Sequence, residues 1–331
     1  MISEEADKSN FQHRLSVRTN QDLIMRQSLP LPVKVLLTKA RIRQWYNEFC
    51  GNVYVSFSGG KDSTVLLDLV RSIYPDVTAV YVDTGLEYRE VRDFVKTVDN
   101  VVWLKPKMNF KEVIMKYGYP LISKEQSQYI REYRTTKSEK LKNIRWNGNK
   151  YGRGKISEKW KFLTEAPFEI GNQCCNIMKK SPSKKFEKES GLHPFIGTMA
   201  EESALRKTGW IKYGCNAFEK KRPTSQPISF WTEQDILQYI VEHNLDYASC
   251  YGKILQDKAG KYFTTQCKRT GCEFCLYGIQ SEDYPNRLQR IKEIHPQRYD
   301  FIMKSIESGG LGYKDILNWV NENSNVNIQY D

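Results

Sequence analysis

No stretch of this sequence approaches the ~18 apolar residues of a membrane-spanning helix, which argues against a membrane protein. The opening MISEEADKSNFQ is polar and has no apolar core of the secretory kind, so the expected location is the cytoplasm. Histidine is scarce, and the 4 histidines, at 13, 193, 243 and 295, fall in no catalytic spacing. No internal repeat or low-complexity tract occurs, which excludes a repeat architecture. Acidic residues are in deficit, 39 Asp and Glu against 51 Lys and Arg, and the net charge of +12 points to an anionic partner.

What is present suits a soluble core: 40% hydrophobic and 27% charged residues over 331 positions. In a reducing compartment the 8 cysteines read as ligands, catalytic thiols or buried apolar groups before disulfides. Much of the positive charge is local. Residues 124–162 hold 12 Lys and Arg against 4 Glu, interleaved with Tyr129, Tyr133, Trp146, Tyr151, Trp160 and Phe162. Phosphate neutralisation beside stacking surfaces is what nucleic-acid binding requires. A solvated basic face is the alternative.

Residues 1–32 end in LPLP and read as an arm or early helix, and 33–49 have helical spacing. Apolar strands at 53–57, 77–82 and 101–105 then alternate with amphipathic helices at 64–74, 88–98 and 110–118. That alternation predicts an α/β fold, a Rossmann-like doubly wound parallel sheet, with PFIGTM (194–199) returning as a last strand. The expected domains are an arm 1–32, a nucleotide-binding domain 33–225 with a basic insertion at about 123–170, and a helical, cysteine-bearing region 226–331. Ligands of such sheets bind beyond the carboxyl ends of the strands. Three of those ends carry Ser58–Ser63, Asp83-Thr84-Gly85, and Gly197 to Arg206.

VYVSFSGGKDSTVLL (53–67) joins a strand to a helix through two glycines, a lysine, an aspartate and two serines. It is not a Walker loop, because Val55 stands where the first glycine would be and Asp62 follows Lys61. It is not the dinucleotide pattern either, since Gly59 and Gly60 are adjacent. Its glycines still let backbone N–H groups and the helix dipole face an anion. Lys61 adds a charge, Ser58 and Ser63 add hydroxyls, and Asp62 suits a Mg²⁺ ion or the loop itself.

SGGKDS resembles the PP-loop of ATP pyrophosphatases, which cleave ATP between the α- and β-phosphates. YVDTGLEYREVRDFV (81–95) resembles the second signature of the PAPS reductase-like branch, whose D-T-G lies beside the nucleoside. CCNIMKKSP (174–182), GTMAEESALR (197–206) and PISFWTEQDILQYI (227–240) resemble its later elements, with Met199 in the place of an arginine. The resemblance runs in order from about 50 to 278. Sulfonucleotide reductases of that branch carry a degraded loop and a late E-C-G-[IL]-H cysteine. Here the loop is complete, no cysteine follows Cys275, and ESGLH at 189–193 has Ser190 in the thiol's place. The chain is therefore more similar to ATP-using relatives: the ATP sulfurylase small subunit and the DndC/SspD-type component of DNA phosphorothioation systems.

Cys267, Cys272 and Cys275 form C-x4-C-x2-C, and three thiols on one short loop indicate a metal. The second C-x2-C of a zinc ribbon is absent, and the vicinal pair Cys174-Cys175 is the source of a fourth ligand. Cluster-bearing reductases hold [4Fe–4S] with a C-C pair and a distant C-x2-C, so the resemblance implies [4Fe–4S]; [2Fe–2S] and zinc stay open. Alignment on Lys179 and Pro182 implies Cys174 as that ligand, leaving Cys175 as ligand or sulfur-handling thiol. Cys50, at the end of a helix, reads as a core residue, and Cys215 and Cys250 read as structural, with Cys250 a spare ligand by proximity in sequence.

The resemblance implies an ATP pyrophosphatase that adenylylates a substrate for sulfur transfer. Its catalytic candidates are Lys61, Asp62 and Arg206. Ser58, Gly59, Gly60, Lys61, Asp62, Ser63, Asp83, Thr84, Gly85 and Lys179 form the nucleotide-binding set, with Lys180 a further phosphate charge. ATP, Mg²⁺ and [4Fe–4S] are the implied cofactors. The implied partners are nucleic acid, DNA in the sharpest version, a cysteine desulfurase or other sulfur donor, and other modification-system subunits. The alternatives are a sulfonucleotide reductase or ATP sulfurylase-like enzyme, and a non-catalytic, cluster-bearing nucleic-acid-binding protein.

Overall fold

The computed structural model describes residues 18–331, so most of the expected arm 1–32 lies outside the described residues. The strands are, in chain order, β1 Val53–Ser56, β2 Ala79–Val82, β3 Val101–Leu104, β4 Leu121–Ile122, β5 His193–Ile196, β6 Asn216–Ala217, β7 Thr224–Ser225, β8 Ile254–Gln256, β9 Tyr262–Thr264 and β10 Leu276–Tyr277. The chain forms two compact units. The first takes residues up to Val82, Arg89–Leu104 and Lys185–Thr270; the second takes Asp83–Tyr88, Lys105–Lys184 and Gly271–Asp331. This differs from the boundary expected at 225/226. Residues 226–270, with the capped helix Glu233–Glu242, pack in the first unit, and only the residues from Gly271 onward join the basic insertion in the second.

The first unit holds the sheet, in the order β3-β2-β1-β5-β7-β6. Pairing is parallel from β3 to β7 and antiparallel only at the β6–β7 edge. The reason is in the strands themselves: Val53, Tyr54 and Val55 are buried together, as a strand covered on both faces requires. The expected return of 194–199 to the sheet is met by β5, which runs beside β1 in the register Val55↔Phe195. The helix Lys61–Arg71 buries Val65, Leu66, Leu69 and Val70, each worth roughly 1.5–3 kcal/mol on burial. The helix Leu31–Glu48 carries Lys34, whose ammonium is buried 2.6 Å from Asp235. Removing either partner of such a pair strands a buried charge, at a cost of about 3–5 kcal/mol.

The second unit is mainly helical around its own core. Helices Phe110–Tyr117, Lys124–Thr135, Glu139–Asn147, Arg287–Ile294, Pro296–Met303 and Tyr313–Glu322 enclose residues such as Ile130, Leu163, Leu276 and Leu317. A short parallel pair, β4 with β10, ties Leu121 to Leu276. The interleaved aromatics of the basic insertion are largely engaged within the unit. Trp160 is buried, Tyr133 stacks on Trp146 at 5.0 Å, and Arg145 lies 4.2 Å over Tyr129. Tyr151 stays exposed. No helix among the described residues is long and apolar enough to cross a membrane.

Candidate functional site

In the first unit the chain leaves β1 at Ser56 and enters the helix at Lys61 through Phe57-Ser58-Gly59-Gly60. Gly59 turns the chain at φ +69, and a Cβ there would sit 2.6 Å from Val95 Cγ2 and 2.8 Å from Val91 Cγ1. Only glycine fits. Gly60 caps the helix without a side chain, which leaves the helix start suited to an anion. Gly197, just past β5, is constrained by contact: a Cβ would lie 3.1 Å from the Ser63 Cα. Ser63 draws the turn together, accepting from the Ser58 N–H at 3.2 Å and donating to the Gly60 carbonyl at 2.9 Å.

Lys61 is nearly buried and held on every side. Its ammonium donates to the Lys268 carbonyl at 2.8 Å and pairs with Glu233 at 3.2 Å and Asp62 at 4.0 Å. Its backbone N–H donates to the Tyr251 hydroxyl at 3.2 Å, and that hydroxyl shares a 2.8 Å bond with Thr270. The Tyr251 ring stands 5.4 Å from the ammonium. Burial pushes the Asp62 carboxyl up to about 6, against the pull of Lys61, and Glu202 adds to the rise. One Asp62 oxygen is buried with no hydrogen-bond partner. Arg206 opens the helix Ala204–Tyr213 and pairs with Glu202, which also accepts the Met199 N–H at 2.8 Å.

In the second unit Asp83-Thr84-Gly85 follow directly on β2, with Asp83 and Thr84 buried. Glu87 binds the Thr84 hydroxyl at 2.8 and 2.9 Å and its N–H at 3.3 Å. The same carboxylate meets the Lys179 ammonium at 3.1 Å. Arg298 donates to the Gly85 and Glu87 carbonyls at 2.9 and 3.2 Å while pairing with buried Glu273 at 2.8 Å. Burial pulls the Lys179 ammonium down, but Cys272 and Glu87 outweigh it and the net shift is upward.

Lys179 borders a cavity whose walls include Cys174, Cys175, Cys272 and Cys275. Cys174 and Cys175 stand 3.9 Å apart at sulfur. Their hydrogen bond raises the Cys174 thiol and lowers that of Cys175, which Lys124, Lys179 and Lys180 also favour as thiolate. Burial raises Cys272 to about 11, with Lys179 opposing. Among the described residues no group of three or more His, Cys, Asp or Glu is arranged to hold a metal ion. Four thiols on one largely apolar wall are nonetheless a donor set whose chemistry fits an iron–sulfur cluster.

The fifth expected ligand does not line this cavity. Cys267 lies in the first unit, where its thiol donates to the Cys250 carbonyl at 2.9 Å. Hydrogen bonding with Cys267, and then burial, hold the Cys250 thiol above the usual thiol range. The spacing C-x4-C-x2-C therefore spans two environments. Sequence reasoning missed Glu87, Glu233, Tyr251, Glu273 and Arg298. Glu87 stands inside DTGLEY and Glu233 inside WTEQD, so two carried a signal; the others are brought in by the fold alone.

Residues 52–277, well over half of the 331, match the family described as phosphoadenosine phosphosulfate reductase domain. An uncharacterized protein of Methanocaldococcus jannaschii is 25% identical over 289 residues, 82% of this chain and 53% of that protein. The chain thus spans about half the length of this relative. An adenosine 5'-phosphosulfate reductase of Bacillus subtilis is 26% identical over 72% of this chain and 79% of its own. Among solved structures, the U34-tRNA thiolase NcsA from Methanococcus maripaludis with its [4Fe-4S] cluster is 15% identical, with a TM-score of 0.35, over 87% of this chain and 80% of that one.

Proposed function

The chain belongs to the phosphoadenosine phosphosulfate reductase domain family, and on that footing we propose that it is an ATP pyrophosphatase that adenylylates an oxygen-bearing acceptor for sulfur transfer. The observation that carries the reading is the turn Ser58–Ser63, a strand-to-helix connection with a nearly buried lysine and an uncapped helix start. The acceptor oxygen attacks the α-phosphorus, the bond to the bridging oxygen breaks, and pyrophosphate leaves. Backbone N–H groups of the turn and Lys61 hold the departing phosphates and neutralise the charge that develops on them. Lys61 exchanges Glu233 and the Lys268 carbonyl for those phosphates. Asp62, with one buried oxygen outside any hydrogen bond, suits the Mg²⁺ that accompanies ATP.

Cys174, Cys175, Cys272 and Cys275 would hold a [4Fe–4S] cluster, which supplies an iron–sulfur surface for sulfur handling. Around it Lys179 sets positive charge and Leu86, Phe110 and Met178 keep the cavity apolar. The acceptor we favour is nucleic acid, DNA in the sharpest version, with a cysteine desulfurase as sulfur donor. The exposed charge of 124–162 supports it more than the aromatics do, so binding should fall steeply with salt. A second reading, sulfonucleotide reduction, draws on the same four-thiol cavity and on the adenosine 5'-phosphosulfate reductase relative. Anaerobic protein given Mg²⁺-ATP and an oligonucleotide should release pyrophosphate. Sulfite from adenosine 5'-phosphosulfate with a dithiol reductant, and no pyrophosphate from ATP, would replace the first reading by the second.

A further inference from the structure

Beyond the β8–β9 hairpin, residues 265–267 run back against Lys253 and the 3-10 turn Ser249–Tyr251. Cys267 N–H donates to the Cys250 carbonyl at 3.2 Å, Gln266 N–H to Tyr251 at 3.2 Å, and Thr265 N–H to Lys253 at 2.9 Å. The Cys267 thiol donates to the same carbonyl at 2.9 Å, so backbone and side chain both hold the two residues together, on the order of the 4.4–6.8 Å between Cα atoms that a disulfide spans. The residues next to these cysteines are the ones that clamp Lys61. Tyr251 follows Cys250 and receives the Lys61 N–H; Lys268 follows Cys267 and receives the Lys61 ammonium. We propose that Cys250 and Cys267 are a redox-active dithiol whose disulfide locks residues 251 and 268 over the phosphate-binding turn. Neither thiol lines the four-cysteine cavity, so that site does not account for the pair.

The oxidant is a small disulfide such as glutathione disulfide. Half-buried Cys267 attacks as thiolate, forming a mixed disulfide and releasing one glutathione thiolate. Buried Cys250 then loses its proton and displaces the second glutathione, so two protein thiols are oxidised and one disulfide is reduced to two thiols. In reducing surroundings such a bond is transient, as regulatory disulfides are. The locked form keeps Lys61 on the Lys268 carbonyl and away from phosphate. That consequence rests on the reading of the turn as an ATP site.

The test uses the full chain purified without oxygen, in reduced form and after equilibration with glutathione disulfide. Peptide mapping should find a Cys250–Cys267 bond, reversed by dithiothreitol and absent in Cys267→Ser. Cys267 joined instead to Cys272 or Cys275, or left reduced, overturns the proposal. Hydrogen exchange of the amides at 58–64 should slow at least tenfold on oxidation, whether or not ATP binds; unchanged exchange despite the bond removes the lock. ATP affinity should fall at least tenfold in the same samples and recover on reduction. Reduced protein that binds no ATP would defeat the function proposed for the turn, while the map and the exchange rates still decide the dithiol.

Discussion

Six consecutive residues, Ser58–Ser63, make the glycine turn of the first unit, proposed to hold phosphate, and most of its geometry is backbone held by two serines and two glycines. The thiol cavity of the second unit takes Cys174 and Cys175 from one segment and Cys272 and Cys275 from another, with Lys179 and Glu87 joining it to a third. A contiguous site inherits its shape from local hydrogen bonds and the start of one helix. A dispersed site exists only while its unit's core holds three segments in place. The turn should therefore tolerate loss of packing better than the cavity does, and each should fail without disturbing the other.

The largest effect expected is at the cavity. Wild-type protein prepared without oxygen should be brown with about four iron atoms per chain, and Cys272→Ser or Cys275→Ser should leave almost none. Iron analysis and the visible spectrum decide it; one zinc and no colour would replace the cluster with a structural metal. Serine at Cys174 and at Cys175, made separately, should each lower the iron content if both are ligands. Next comes Lys61→Ala, which should weaken ATP at least a hundredfold by calorimetry while the iron content stays at wild-type level. Iron lost together with ATP binding would break the separation of the two sites.

Glu87→Gln should follow. It removes the charge shared by Thr84 and Lys179, and urea unfolding should detect about 1–3 kcal/mol of lost stability. Asp62→Asn should act in the opposite direction and depend on pH. The folded carboxyl titrates near 6, above its ordinary 3.8, so the unfolded chain loses its proton first and wild-type stability falls between about pH 4 and 6. The asparagine variant should equal wild type below pH 4 and exceed it by about 3 kcal/mol above pH 6 in melting curves. The smallest effect belongs to Cys50→Ser: the helix-end cysteine expected in the core is exposed, so stability and iron content should be unchanged within about 0.5 kcal/mol and experimental error.

The sheet was legible because apolar strands and amphipathic helices alternate from 53 to 118, and each observed strand there falls within the span read from the pattern. The turn was legible for the same reason, since strand, glycines and helix start are contiguous. The unit boundary was not legible: nothing in the composition near 225 or 270 reports which core a helix joins. Nor was the parting of Cys267 from Cys272. Spacing puts three thiols on one loop, but Cys267 bonds the Cys250 carbonyl, and Glu273, next to Cys272, is buried against Arg298. Aromatic interleaving in the basic insertion likewise gave no sign that Trp160 belongs to the core.

The chain passes from one unit to the other after residues 82, 88, 104, 184 and 270. No single cut of the gene yields either unit whole, and the excursion Asp83–Tyr88 is too short to be removed and replaced as a cassette. Fragment libraries, domain swaps and split reporters would each carry away part of both sites. A recombination event that exchanged one unit with a relative would have to exchange several interleaved segments together, so the glycine turn and the thiol cavity are transmitted as a linked pair.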